Sequence, residues 1–180
     1  MVAGLTADAN ILTDNARLAS QRYLYQYGEP MPIEQLVRNV CNYKQQYTQF
    51  GGLRPFGVAF LFGGWDKHHG FQLYQSDPSG NYSGWRATVV GQNNQAGKSI
   101  LKTDFKENAT QAENLKLAVK ILIKTMDATT PTADRIDLSE LKRLPDGTIA
   151  HMTVPDAQVQ ALIAQCQKEA EAETKSSGDV

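Results

Sequence analysis

Apolar positions along the chain follow the period of a helix, then of a strand, then repeat both and end on a helix. Val2 to Leu5 reads as the end of a strand. Ile11, Leu12, Ala16, Ala19 and Tyr23 then recur at helical spacing, with Thr6 or Asp8 placed to cap the first turn and Gly28, Pro30 and Pro32 to end it. A second helix is predicted from Pro32, whose missing N–H costs nothing in a first turn, with Leu36, Val37, Val40 and Cys41 as its buried stripe and Gly51-Gly52 beyond its end. From Phe56 to Phe62 the residues are nearly all apolar, as in a strand covered on both faces. Gly63 to Gly70 reads as a turn and Phe71 to Ser76 as a second strand. Asp77-Pro78-Ser79-Gly80-Asn81 is a strong turn, because Pro fixes φ and Gly admits φ > 0. Two short strands are predicted at Tyr82–Trp85 and Arg86–Val90.

Helical spacing returns over about Asn93–Phe105 and Thr110–Met126, the latter with Leu115, Val119, Leu122 and Met126 on one face. Strands at Arg135–Leu144 and Thr148–Thr153 flank the turn Pro145-Asp146-Gly147. A last helix follows Pro155 and presents Val159, Leu162, Ile163 and Cys166. Helices, strands, helices, strands, helix is the order of an α+β fold with antiparallel sheet rather than of repeating βαβ units. One domain is expected over residues 1–166. A polar tail is expected over 167–180, disordered at its end.

Composition narrows the function classes. The chain has 180 residues, 41 % hydrophobic and 21 % charged, with net charge −1, which argues against nucleic-acid binding through a broad basic surface. Two distant cysteines, Cys41 and Cys166, make no disulfide scaffold. No run of about 18 apolar residues exists to span a membrane, and Met1 to Leu5 has neither the basic nor the long apolar part of a signal peptide.

Several patterns invite chemistry and fall short of it. Gly91-Gln92-Asn93-Asn94-Gln95-Ala96-Gly97-Lys98-Ser99 follows a strand and opens a helix, as a phosphate-binding loop does. It has five residues between its glycines instead of four, which would re-aim the amides that cradle phosphate. Asp66, His68 and His69 suggest a metal, but adjacent histidines on extended chain point to opposite faces, and exposed turn histidines are the expectation. Ser79 lacks the glycines of a nucleophile elbow, and Cys41 lies on an apolar helix stripe, where it acts as a small hydrophobe. No cofactor or metal is expected. Two features suggest assembly instead. Gln49-Phe50-Gly51-Gly52-Leu53-Arg54-Pro55 is a bare double-glycine turn carrying Phe and Leu, and Tyr23, Tyr25, Tyr27, Tyr43 and Tyr47 crowd the first two helices.

Tyr47-Thr48-Gln49-Phe50-Gly51-Gly52-Leu53-Arg54-Pro55-Phe56-Gly57-Val58 resembles the signature of proteasome alpha subunits. Val2 to Asn10, Gln21-Arg22-Tyr23, Gly64-Trp65-Asp66 and Leu73 to Tyr82 continue that resemblance in register, and the run Gly64 to Tyr82 with Trp85 most resembles the family's type-4 branch. The resemblance implies a four-layer αββα sandwich, the Ntn-hydrolase-like proteasome fold, and a non-catalytic structural role in the alpha ring of the 20S core particle, within ubiquitin-dependent protein degradation. By position it assigns Phe50, Gly51, Gly52 and Leu53 to the turn lining the axial channel and Leu5 to one wall of the pocket for regulator tails. The implied partners are other alpha subunits, beta subunits, regulatory particles and unfolded substrates in transit, in cytoplasm and nucleus. The family's gating tail, first helix and first strands are expected upstream of Met1, so the chain reads as N-terminally truncated and, alone, as poorly stable. The alternatives are a beta-type threonine peptidase, which would need Thr6 as an N-terminal nucleophile, and a nucleotide-binding module at 91–99.

Overall fold

A computed structural model of the protein describes residues 1–126 and 131–176. The chain divides into two compact units, Met1–Gly91 and the part from Gln92 on. Both combine helices with antiparallel strands, so the α+β class stands.

The first unit is a four-stranded antiparallel sheet in the order β1 (Val2–Gly4), β2 (Val58–Asp66), β3 (Gly70–Ser76), β4 (Tyr82–Gly84), with helices α1 (Thr6–Tyr27) and α2 (Ile33–Gln49). Val2 pairs with Phe60, Phe60 with Ser76, and Ser76 with Tyr82, so one register runs across all four strands. The core is Ala9 and Leu12 of α1, Val40 of α2, and Phe56, Val58 and Phe60, with Tyr43 and Tyr47 partly buried against it. Period 2 along β2 sends Val58, Phe60, Gly64 and Asp66 to the buried side, while Ala59 and Leu61 are only half-buried. The second face of this strand is thus covered less fully than the first.

Four further expectations change here. β2 continues through Gly63-Gly64 to Asp66, because Gly64 lets the chain approach Ile33 of α2 where a side chain would collide. Arg86–Val90 forms no strand. Neither Thr6 nor Asp8 caps α1: Leu5 is the N-cap and contributes no side-chain bond, Asp8 being turned to other donors. Ile11 is exposed, so the buried stripe of α1 is narrower than its apolar spacing implied.

The second unit holds α3 (Asn94–Asp104), α4 (Gln111–Thr125), a 3₁₀ turn (Ala133–Arg135), the hairpin β5 (Ser139–Arg143) and β6 (Ile149–Thr153), and α5 (Asp156–Ser176). Val119, Ile136, Leu138, Val154, Val159, Ile163 and Cys166 form its core. The strand expected from Arg135 begins only at Ser139, because Ile136 and Leu138 leave the ladder to fill that core. α5 runs to Ser176, past Gln167 where the polar tail was placed. The expected disorder falls on residues 177–180, outside the described residues.

Thr110 caps α4 with a full capping box. Its hydroxyl accepts the Glu113 amide, and the Glu113 carboxylate accepts the Thr110 amide at 2.7 Å. Thr110→Ala is expected to cost about 1 kcal/mol, read as faster amide exchange over the first turn of α4. Unchanged protection there would count against the cap.

Candidate functional site

The double-glycine turn leaves the C-terminus of α2, where the Phe50 amide still donates to the Gln46 carbonyl at 3.2 Å. Gly52 has φ +81°, so the turn needs glycine there. A side chain added at Gly51 or Gly52 would meet nothing within 4 Å. Phe50 and Leu53 are 60 % and 54 % exposed. Neither Phe50 nor Leu53 of the turn belongs to the core cluster or to the residues packed against it.

Its exit is fixed by α1. Arg54 donates through both terminal nitrogens to Asp8, at 2.6 Å to Oδ2 and 2.9 Å to Oδ1. The Gly57 amide donates to the same carboxylate at 2.9 Å, and the Leu5 amide donates to the Gly57 carbonyl at 2.9 Å. Gly57 admits this because the Leu5 side chain would lie 2.9 Å from any Cβ there. Arg54 and the Gly57 amide outweigh the effect of burial and hold the Asp8 carboxyl at about 2. A shallow pocket beside this pair is lined by Asp8, Ile11, Tyr47, Leu53, Arg54 and Phe56. The structure thus brings Leu5 and the turn onto one hydrogen-bonded junction, a link the sequence alone does not contain.

Two buried polar side chains have roles beyond those expected from the sequence. Lys44 is fully buried on the α2 stripe of Val37, Val40 and Cys41. Its ammonium donates to the Val58 carbonyl at 3.0 Å, Ser76 Oγ at 2.9 Å and the Asp77 carbonyl at 3.3 Å, and lies 4.7 Å from the centre of the Phe60 ring. Desolvation lowers its pKa to about 8. The signal was available, since Lys44 follows Val37 by seven residues and completes the apolar face. Asp66 accepts from the amides of Ile33, His68 and His69 and from Gln72 Nε2, at 2.7 to 3.1 Å. Burial acts to raise its pKa, but Gln72 and the three amides prevail and hold it at about 2. It joins the first turn of α2 to the β2–β3 hairpin.

The remaining candidates separate. His68 and His69 are exposed, and no metal-holding group of His, Cys, Asp or Glu occurs among the described residues. The Gly91–Ser99 segment is no phosphate cradle. α3 starts at Asn94, which places Ala96 and Gly97 inside the helix and leaves only Gln92 and Asn93 after Gly91. Thr6 opens α1 directly after β1, whose residues pair with β2, so the cleavage before Thr6 that would free a threonine nucleophile's amine would also remove a strand of the sheet. No described helix is long and apolar enough to cross a membrane.

Comparison with known proteins places the chain. Residues 1–141 match the family "Proteasome subunit". The chain is 55 % identical over 174 residues to proteasome subunit alpha type-4-A of Arabidopsis thaliana, covering 96 % of this chain and 70 % of that one. It is 58 % identical over 150 residues to proteasome subunit alpha type-4 of Spinacia oleracea, covering 83 % and 60 %. It is 50 % identical over 173 residues to proteasome subunit alpha type-4 of Dictyostelium discoideum, covering 96 % and 69 %. It thus spans between 60 % and 70 % of the length of these three relatives. On this identity and the family match over residues 1–141, the chain belongs to the proteasome subunit family.

Proposed function

We propose that the protein is a non-catalytic structural subunit of the 20S proteasome alpha ring, contributing to ring assembly, the axial entrance and the docking of regulatory particles in ubiquitin-dependent degradation. The observation that carries this is the 55 % identity to an alpha type-4 subunit over 96 % of the chain. Its partners are other alpha subunits beside it, beta subunits below, regulatory particles and unfolded chains in transit, and it works in cytoplasm and nucleus. Phe50 to Leu53 line the channel and Leu5 walls the regulator-tail pocket. The exposure of Phe50 and Leu53 and the open space around Gly51-Gly52 support this assignment, because a bare, projecting turn can approach its counterparts closely. Tyr25, almost fully exposed, and the groove of about 630 Å³ between α1 and α2, walled by Tyr23, Tyr27 and Tyr43, suit protein contact, where tyrosine is enriched. Bond cleavage falls to other subunits, since the chain resembles alpha-type subunits and Thr6 opens a helix behind a strand paired into the sheet.

The test is co-expression of the tagged chain with the remaining core subunits. We expect it to co-purify with them, and the purified chain alone to leave fluorogenic peptides uncut. Peptide hydrolysis by the chain alone that is lost on Thr6→Ala would establish the peptidase alternative, and recovery of the chain without any ring member would refute the ring role.

A further inference from the structure

The turn at Phe50–Leu53 contributes no residue to the core cluster. Its glycines face open space, its apolar side chains are exposed, and on the α2 side a single backbone bond, Phe50 to Gln46, closes the helix. On the other side three donors converge on one carboxylate: both terminal nitrogens of Arg54, one of which also donates to the Pro55 carbonyl, and the Gly57 amide. That carboxylate belongs to Asp8, in the first turn of α1 and nearly buried, whereas Arg54 is two-thirds exposed. A bidentate guanidinium–carboxylate pair fixes direction as well as distance. Leu5 is bonded into the same junction through Gly57.

Resting on the reading of Phe50–Leu53 as the channel turn, we infer that Asp8, acting through Arg54, is the positioning residue for that turn, and that it couples the turn to the β1–α1 junction where Leu5 lies rather than to α2. Any displacement of Leu5 then reaches the turn through Gly57 and the Asp8 carboxylate. A turn so coupled holds one position relative to the pocket wall and reports a change there.

The coupling is testable on the full chain with a nitroxide at Gly51→Cys and a control nitroxide at Tyr25→Cys on α1. The native cysteines are buried and stay unlabelled under folding conditions. We expect Arg54→Gln to raise the mobility of the label at 51 by about threefold and to leave the label at 25 unchanged, on the nanosecond scale that distinguishes free from anchored loops. Asp8→Asn should do the same, and the two changes together no more than either alone, since one interaction is removed twice. Arg54→Lys, which keeps the charge but loses the fork, should restore the restraint only partly. An unchanged label at 51 in Arg54→Gln would overturn the inference, as would equal mobilisation of both labels, the mark of general loosening. The ring role is read separately by co-purification, so a chain that keeps this coupling yet joins no ring would refute the channel assignment and leave the coupling standing.

Discussion

Lys44→Ala is expected to lower the stability of the first unit by about 3–5 kcal/mol, the largest effect of any single change considered. The lysine stem fills space beside Val37, Val40 and Cys41, so truncation opens a cavity. The ammonium's three protons meet three acceptors, on β2, on β3 and in the turn after β3, so truncation also removes one cross-link between α2 and two strands. Lys44→Met keeps most of the volume and loses only the hydrogen bonds, and should cost about half as much. Both tryptophans, Trp65 and Trp85, lie in this unit, so urea unfolding followed by their fluorescence reports it directly. A loss below about 1 kcal/mol for Lys44→Ala would show that the cross-link is dispensable.

The same lysine sets a pH dependence of uncommon sign. Its folded pKa, about 8, lies below the ordinary 10.5. Below pH 8 both states hold the proton and stability does not respond. Between pH 8 and 10.5 the unfolded chain binds more protons than the folded one, so Lys44 adds stability as pH rises. That increment should be missing in Lys44→Met, and a parallel pH response of variant and wild type across this window would contradict it.

Asp66→Ala is expected to cost about 3 kcal/mol, because four donors lose a charged acceptor at once and the Ile33 amide is one of the orphan N–H groups that begin α2. Pro32, the N-cap of α2, has no side-chain oxygen to offer, so the cap comes from 33 residues away on β2. The folded pKa, about 2, lies below the ordinary 3.8. The contribution is therefore complete above about pH 4 and is lost as pH falls toward 2. Asp66→Asn should flatten the acid limb of the stability profile in that window while keeping much of the geometry. An acid transition identical in wild type and Asp66→Asn would sink this account.

The family and the sequence of elements were legible in the chain. Hydrophobic period separated helix from strand at α1, α2, β3, α4 and α5, since a 3.6-residue or a two-residue repeat reports which local geometry can bury an apolar face. Glycine and proline marked Gly28, Asp77–Asn81 and Pro145–Gly147, because φ restrictions act within a residue or two. The long motif Tyr47–Val58 was enough to name the family. What the sequence could not hold were choices made by partners distant along the chain. Whether Gly63-Gly64 ends a strand or continues it depends on Ile33 lying against it. Whether Asp8 caps a helix or anchors a turn depends on Arg54, 46 residues on. Whether Lys44 reaches solvent or closes the core depends on three acceptors brought together only by the sheet. Local steric preference is written in each residue and its neighbours, but the partner of a buried charge is fixed only when folding removes water and leaves few acceptors within reach.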